Sequence, residues 1–475
     1  KRVQAVIGSA YFVEGNYEAA LRAYQQVNID LLGDTERDEC ALRLGTSYLK
    51  MNDLDEAYIW FSVIRAASSK YAADARYNLA YIDYVKQRYD QAWEGFSAVK
   101  DQPEYAALAP YYLADIQLIH NNYRQALQLA DAYLQAYPQQ EFVPQMQRIA
   151  GEAHYGLKDY AAAIPLLEAY HDAVDFPARN AMYRLGMSYF NTGVYSKAAL
   201  RLGEAAGPQD AMSQNAYLHM GLSYLQLRDR SRARMAFEQA ATTHFDPRAK
   251  EQALYKYALW IHETSYSPFS ESVTVFERLL NEYPNSPYAD RVNDYLVEVY
   301  MNTRSYQAAL QSIAKISRPS RQILEAKQRI LFRLGTESFA QADFQKAIDY
   351  FSQSLQLGSY NQRTQADAYY WRGESKFRLE QYVPAEADMK LYLGVAPSRN
   401  TQEYALALYN LGYTSFKQKK YEEALKWFSR CVQSGSLITE KPMVADLYNR
   451  MGDCHFYARR FAEAGTQYAQ ASSVD

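Results

Sequence analysis

Leu185-Gly186-Met187-Ser188-Tyr189, followed shortly by Gly193-Val194-Tyr195-Ser196-Lys197-Ala198, is the stretch that decides how this chain folds. A small residue, Gly186, stands twelve positions before another, Ala198, and a ring, Tyr195, stands three before the second. The spacing recurs in both directions along the chain. The second small residue is Ala20, Ala57, Ala92, Ala126, Ala163, Ala233, Ser272, Ala309, Ala347, Ala385, Ala424 and Ala464 in turn. The first is Gly8, Gly45, Ala80, Ala114, Gly151, Gly221, Gly335, Gly373, Gly412 or Gly452. The ring is Tyr17, Tyr89, Tyr123, Tyr160, Phe269, Tyr306, Phe344, Tyr382, Tyr421 or Phe461. Successive copies lie 34 to 40 residues apart. A period of that length carrying two helical segments predicts an array of helix pairs.

One unit shows why. Ile7, Gly8, Tyr11 and Phe12 share helical spacing in a first helix, A. Glu14-Gly15-Asn16 supplies a turn in which Gly15 permits the left-handed backbone that ends a helix. A second helix, B, follows through Tyr17, Ala20, Leu21, Tyr24 and Val27. The two helices are expected to cross at Gly8 and Ala20, where a larger side chain at Ala20 would overpack the joint by roughly 1–3 kcal/mol. Tyr17 is placed to cover that joint. The fold class expected is all-α, an alpha-alpha solenoid of about thirteen helix-turn-helix repeats.

Bulk properties narrow the function. With 475 residues the length suggests about three ordinary domains, but an array is one quasi-linear body and overrides that prior. Hydrophobic residues at 48% suffice for a continuous core. A net charge of -3 leaves no basic excess for nucleic-acid phosphates, so no nucleic-acid partner is expected. No stretch reaches the ~18 apolar residues of a membrane-spanning helix. Cys40, Cys431 and Cys454 lack metal-ligand spacing and read as small buried hydrophobes, with a Cys431–Cys454 disulfide left open. The chain opens on Lys1 at the start of a repeat, so it is expected to be part of something longer.

Further units repeat the plan, as in Leu411-Gly412 followed by Tyr421-Glu422-Glu423-Ala424. The pattern resembles the tetratricopeptide repeat family, in which Leu-Gly, an aromatic, a later Ala and a closing Pro hold these offsets. Pro138, Pro284 and Pro397 stand at the closing place. The resemblance covers essentially the whole chain and implies a right-handed superhelix. Departures are Leu54 and Arg230 at the ring, Val297 at the small residue and Arg372 at the Leu. Repeats one to seven are assigned to 1–249 and repeats eight to thirteen to 250–475, as a continuous solenoid. A kink or change of pitch is expected near 245–275, where Thr264-Ser265-Tyr266-Ser267-Pro268 lengthens the inter-helix turn; the reading of a plain surface loop stays open. Ser317-Arg318-Pro319-Ser320 is a second breaker. The linker from Leu279 to Asp290 resembles joints in bacterial cell-envelope members of the family, among them the outer-membrane assembly lipoprotein and the Tol-Pal-associated periplasmic protein. That resemblance implies the periplasm or cell envelope, with the cytoplasm still open.

The 45 tyrosines exceed what the ring place needs. The fifth, ninth and twelfth places of helix A line the concave surface in the family. Here they hold Tyr77, Tyr81 and Tyr84 in the third unit, Tyr183, Met187 and Phe190 in the sixth, and Tyr409, Tyr413 and Phe416 in the twelfth. Tyr111, Tyr255 and Tyr370 occupy the fifth place elsewhere. The expected binding residues are Tyr77, Tyr81, Tyr84, Tyr111, Tyr183, Tyr255, Tyr370, Tyr409 and Tyr413, an aromatic groove with polar tips. The competing reading packs the twelfth-place rings against the next helix. The family's carboxylate clamp needs Lys at the fifth place and Asn at the ninth. No unit has that pair, and Asp446 stands where the clamp's Lys would be, beside Asn410 and Arg450.

Signals of catalysis are missing. The seven histidines are isolated, and there is no His-Glu-x-x-His, phosphate-binding glycine loop or nucleophile elbow. Acidic groups such as Asp53-Leu54-Asp55-Glu56 sit at expected helix starts, where they favour the helix dipole. The function expected is a non-catalytic scaffold that holds a protein or peptide, with no cofactor and no metal, in an envelope assembly. Two alternatives remain: a glycan- or peptidoglycan-binding solenoid, and a substrate-recruiting arm of a larger protein.

Overall fold

The computed structural model describes residues 2–264 and 271–474. Among them are twenty-six α-helices, two short 3-10 turns and no strand. In chain order the helices are α1 (Arg2–Val13), α2 (Tyr17–Tyr24), α3 (Asp34–Lys50), α4 (Leu54–Phe61), α5 (Ala72–Val85), α6 (Tyr89–Val99), α7 (Ala109–Ile119), α8 (Tyr123–Ala136), α9 (Val143–Gly156) and α10 (Tyr160–Ala173). There follow α11 (Arg179–Asn191), α12 (Tyr195–Ala205), α13 (Ala211–Gln226), α14 (Arg230–Thr242), α15 (Pro247–Thr264), α16 (Glu271–Glu282), α17 (Ala289–Asn302) and α18 (Tyr306–Ala314). The last are α19 (Arg321–Ala340), α20 (Phe344–Gln356), α21 (Gln362–Arg378), α22 (Tyr382–Val395), α23 (Gln402–Lys417), α24 (Tyr421–Gln433), α25 (Lys441–Tyr457) and α26 (Phe461–Ser472). Odd numbers are A helices and even numbers B helices.

Two compact units result, Lys1–Lys250 and Glu251–Asp475. Inside each, an A helix lies against its own B helix and that B helix against the next A. Successive A helices also meet, α7 with α9 and α9 with α11 in the first unit, α17 with α19 and α19 with α21 in the second. Among successive B helices, within the described residues, only α16 and α18 meet to a comparable degree. Each unit therefore curves with its A helices on the inside. Of the stretch 245–275, where a kink was expected, residues 265–270, with the ring place of Phe269, lie outside the described residues.

The repeat pattern has a steric cause. Each of the twelve recurring alanines is at most 2% exposed, and Ser272 in their place is 1% exposed. The small residue on helix A makes room for the side chain four positions after that alanine. A Cβ on Gly186 would meet Leu202 Cγ at 2.6 Å, and one on Gly335 would meet Phe351 Cε1 at 2.6 Å. In the third pair the roles divide, since Ala80 on α5 faces Gly95 on α6 and a Cβ there would lie 2.7 Å from that of Ala80. The ring place is the first residue of nearly every described B helix, and Leu54 and Arg230 start helices as well. Asn16, Asp53, Asp159, Asp229 and Asp343 cap B helices by accepting a backbone N–H three residues on. Pro138, Pro284 and Pro397 fall two residues past α8, α16 and α22, where a residue lacking an N–H ends a helix.

Departures from the pattern have local answers. At the Leu place Arg372 forks onto Asp388 at 2.6 and 2.9 Å, with Lys376 2.8 Å from the same carboxylate. Val297 replaces the small residue on α17, which accordingly lies more against α19 than against α18. The three cysteines are free thiols, so the disulfide left open by the sequence is not formed. Burial pushes Cys431 and Cys454 up to about 12, which makes them inert.

A further device ties neighbouring pairs together. The fully buried carboxamide of Gln214 donates to the carbonyls of Ala240 (2.9 Å) and Thr243 (2.8 Å) and accepts from the Asp246 N–H (2.6 Å). Gln328 does the same with Ser354, Gly358 and Asn361. Arg179, at the equivalent place on α11, reaches the Ala205 carbonyl, Asp210 and Ser213. Each clasp satisfies the open end of a B helix and fixes the start of the next A helix.

Candidate partner-binding face

Being on the inside of each curve, the A helices present the face on which the expected binding tyrosines lie. None of the nine is fully exposed: Tyr255 is buried and the other eight are half-buried. Their surroundings follow rules of place. Three fifth-place rings stack face to face on an aromatic that precedes the next A helix: Tyr77 on Tyr105 (4.4 Å between centroids), Tyr111 on Phe142 (4.7 Å) and Tyr255 on Tyr288 (4.2 Å). Twelfth-place rings meet the first residue of their own B helix edge-on, as Tyr84 meets Tyr89 at 6.0 Å and Phe416 meets Tyr421 at 5.5 Å.

In the first unit, Tyr77, Tyr81, Tyr84 and Tyr111 converge around Tyr112, whose ring lies 5.0–6.2 Å from all four. Sequence reading passed over Tyr112 because it sits one place beyond the inner stripe. Next to this cluster runs a ladder of charges across four A helices. Tyr84 donates to Asp115. Arg148 lies 3.0 Å from Asp115 and 3.1 Å from Glu152, and Arg184 lies 2.9 Å from Glu152. Asp115 is 6% and Glu152 3% exposed, so their charges depend on these partners. Burial works against the Arg148 cation, but Glu152 and Asp115 overcome it and hold the guanidinium above its ordinary value. Asp115, Arg148 and Glu152 occupy ninth, fifth and ninth places, so reading those places for charge as well as for rings would have found them.

Tyr183 lies farther along the same face beside Tyr155, and burial pushes its phenol up to about 12. Burial likewise raises Tyr155, Tyr77 and Tyr111. These phenols are neutral donors throughout the physiological range. The hydroxyls of Tyr81, Tyr155 and Tyr183 bond no protein group among the described residues.

In the second unit Tyr409 and Tyr413 lie 4.9 Å apart and both donate to Asp446, the former at 2.6 Å. Asn410 donates to Tyr370 (3.3 Å) and Glu374 (3.0 Å). Arg450 pairs with Asp453 at 2.7 Å. Asn410 and Arg450, the fragments of a carboxylate clamp, are thus engaged within the fold, and a carboxylate occupies the position of the amine. Burial pushes Tyr413 up to about 12, with Asp446 adding to it. Tyr255 stands apart from this group, on α15.

Among the described residues, Glu168, His171 and Asp172 could bring ligand atoms within 4.8 Å of one another. The Arg201 guanidinium lies among them, 2.8 Å from Glu168 and 3.0 Å from His171, so a cation already holds that space.

Three stretches of the chain match models of a known repeat family. Tetratricopeptide repeat models match residues 150–211, 215–244 and 403–475. Among solved structures, a tetratricopeptide repeat protein from Parabacteroides merdae ATCC 43184 is 14% identical, covers 54% of this chain and 97% of its own, and has a TM-score of 0.36. YrrB, described as a TPR protein with an unusual peptide-binding site, is 17% identical over 45% of this chain and 96% of its own at a TM-score of 0.33. MamA MSR-1 is 18% identical over 36% and 95% at 0.31. No curated protein matches.

Proposed function

Because this chain is built of tetratricopeptide repeats, we propose that it is a non-catalytic scaffold that holds an extended segment of a partner protein on the A-helix face of its first unit. The observation that carries this is the trio of Tyr81, Tyr155 and Tyr183, half-buried rings whose hydroxyls have no protein acceptor. Neutral phenols at fixed positions suit the carbonyls of an extended backbone, and rings give contact area at low entropic cost. The charges alongside are compensated by one another, so nothing in the ladder calls for a charged terminus. YrrB, by its description, has a peptide-binding site, which accords with a peptide as the ligand class.

A glycan-binding role finds less support. Sugars stack on open ring faces, and Tyr77, Tyr111 and Tyr255 have a face already taken by a neighbouring aromatic. The setting we favour is an assembly in a bacterial cell envelope, on the likeness of the linker around Tyr283-Pro284-Asn285-Ser286-Pro287; fractionation of the native cell tests it.

The scaffold reading is tested by cross-linking the chain to its partner in the native cell and mapping the contacts by mass spectrometry. Contacts should fall on α5, α9 and α11. Tyr81→Phe, Tyr155→Phe and Tyr183→Phe together should weaken binding about tenfold or more, the loss of three neutral hydrogen bonds at about 0.5–1.5 kcal/mol each, without moving the melting temperature. Contacts confined to B helices, or unchanged occupancy in the triple variant, defeat the assignment.

A further inference from the structure

A cleft opens on the outer side of the first unit, over α13 and between α12 and α14. It encloses about 200 Å³ and is lined by Tyr217, Met220 and Tyr224 of α13 and by Arg232, Met235 and Ala236 of α14. Met235 is 65% exposed. The equivalent cleft one pair earlier is filled. There Arg201 of α12 reaches Glu168 of α10 at 2.8 Å, and His171 and Glu204 join the same guanidinium. Counted from the recurring alanine of each B helix, Gly203 holds the place of Glu168 and Ala236 the place of Arg201. Two small residues thus stand where a bridge would cross, and their size leaves the cleft open. Gly203 is not required by a helix crossing: among the described residues, a Cβ added to it would meet only Met220 Cε, at 3.6 Å.

We propose that this cleft seats an acidic amphipathic helix of a partner protein, with apolar side chains against Met220 and Met235 and a carboxylate on Arg232. Charge complementarity selects that occupant. Toward the turn that joins α13 to α14, Arg228, Arg230 and Arg232 are all exposed. Asp229, the acid among them, already caps α14 by accepting the Arg232 N–H. It holds the Arg232 guanidinium only loosely, at 3.4 Å, and that side chain is 69% exposed. Glu204 is taken by Arg201 at 2.8 Å, and Glu238 falls off the line of Arg232, Met235 and Ala236 along α14. Positive charge is therefore in surplus beside an apolar floor. The walls are side chains of helices whose own backbone bonds are made, so an extended segment finds no edge to pair with, whereas a helix satisfies its own backbone and needs only a groove. Methionines on the floor adapt to the shape of an incoming side chain. A nucleic-acid backbone would need cations along the whole cleft, and Met220 and Met235 hold its middle.

Selection of a library of helical peptides on the full chain, counter-selected on the double variant Gly203→Glu with Ala236→Arg, tests this. The double variant rebuilds the bridge of Glu168 and Arg201, so it should keep its melting temperature and lose the peptides. Those recovered should carry apolar residues at helical spacing with Asp or Glu beside them. Met235→Glu should weaken their binding about tenfold or more, as expected when one apolar anchor loses its cover. Arg232→Glu should weaken them as well, and should tighten the same peptides once Lys replaces their acids, a reversal that misfolding cannot imitate. Tyr81→Phe, Tyr155→Phe and Tyr183→Phe should leave this binding unchanged, so the cleft and the A-helix face stand or fall separately. Recovery of no peptide, of basic or extended sequences, or of peptides indifferent to Met235→Glu overturns the proposal. So does displacement of the peptides by a single-stranded oligonucleotide, or a mass above 54.6 kDa that Met235→Glu returns to the monomer, which would make a second copy the occupant.

Discussion

Phe428 fills the space that a side chain on Gly412 would occupy: a Cβ added to Gly412 would lie 2.3 Å from Phe428 Cε1. The ring is wholly buried and held by Leu411, Ala424 and Cys431, so it has nowhere to go. Gly412→Ala should cost roughly 1–3 kcal/mol through overpacking. Gly465→Ala on α26 meets nothing within 4 Å and should be neutral or stabilising by up to about 1 kcal/mol, because alanine favours the helix. Arrays need not unfold in one step, so the comparison belongs to residue-level hydrogen exchange of α23, α24 and α26.

The turn between helices A and B makes a second prediction. One residue in it is left-handed in pair after pair: Gly193 at φ +80°, but also Ala342 at +60° and Arg228 at +60°. Alanine pays a steric penalty in that conformation of about 1–2 kcal/mol, which glycine escapes. Ala342→Gly should therefore be neutral or stabilising despite glycine's greater freedom in the unfolded chain. Gly193→Ala should destabilise by about 1 kcal/mol, and a paired set of chemical melts decides the sign of each.

Why some features could be read from sequence and others could not is clear from these positions. Gly186, Ala198 and Tyr195 recur because a close helix crossing admits few residue types, and sterics of that kind leave a mark in every copy. The left-handed residue leaves no such mark, since Asn52, Gln87, Lys158 and Glu380 all adopt it. The A face was legible as a row of rings but not as a network. Asp115 and Arg148 stand 33 residues apart, each unremarkable alone, and only the stacking of α7 on α9 brings them together. Tyr112 lies one place beyond the inner stripe, and only stacking gathers its six ring neighbours, Tyr77, Tyr81, Tyr84, Phe96, Tyr111 and Phe142, around it. The clasps of Gln214 and Gln328 share a place, yet Arg179 serves it as well, so no single residue type announces it.

Gln328 supplies a third prediction. Its carboxamide serves two carbonyls and one N–H in a buried joint. Gln328→Met keeps the volume but strands all three groups, each at a cost of about 1–3 kcal/mol unless water enters. The Asn361 amide, which donates to Gln328 at 3.0 Å, should lose its protection first. Uniform loss of protection along α19, with the Asn361 amide no earlier than the rest, would mean that these three bonds do not hold the joint.

Acid should loosen the first unit through Glu168. Burial raises its pKa, but hydrogen bonds from Arg201 and Tyr189 more than offset this and leave the carboxyl below its ordinary value. A depressed carboxylate adds stability above its unfolded pKa of about 4.3 and loses it as the pH falls through the folded value. The melting temperature should therefore fall as the pH is taken from about 5 to about 3. Glu168→Gln should start lower at neutral pH and show a shallower fall. Parallel curves for the two proteins would remove Glu168 from the account.

The charge ladder yields the most asymmetric expectation. Arg148 is 13% exposed and stands between two buried carboxylates, whereas Arg184 is 30% exposed, pairs with one carboxylate, Glu152, and otherwise lies over the Tyr155 ring. Removing Arg148 strands Asp115 with Tyr84 and leaves Glu152 with one partner, and breaking a buried pair in this way costs about 3–5 kcal/mol. Removing Arg184 leaves Glu152 still paired with Arg148 at 3.1 Å, so the loss should be nearer the roughly 1 kcal/mol of a half-exposed pair. Arg148→Met should then open α7 and α9 to hydrogen exchange, and Arg184→Met should leave them protected. If the two variants lose equal stability, the ladder is not the spine of this face, and its charges are free to serve a partner.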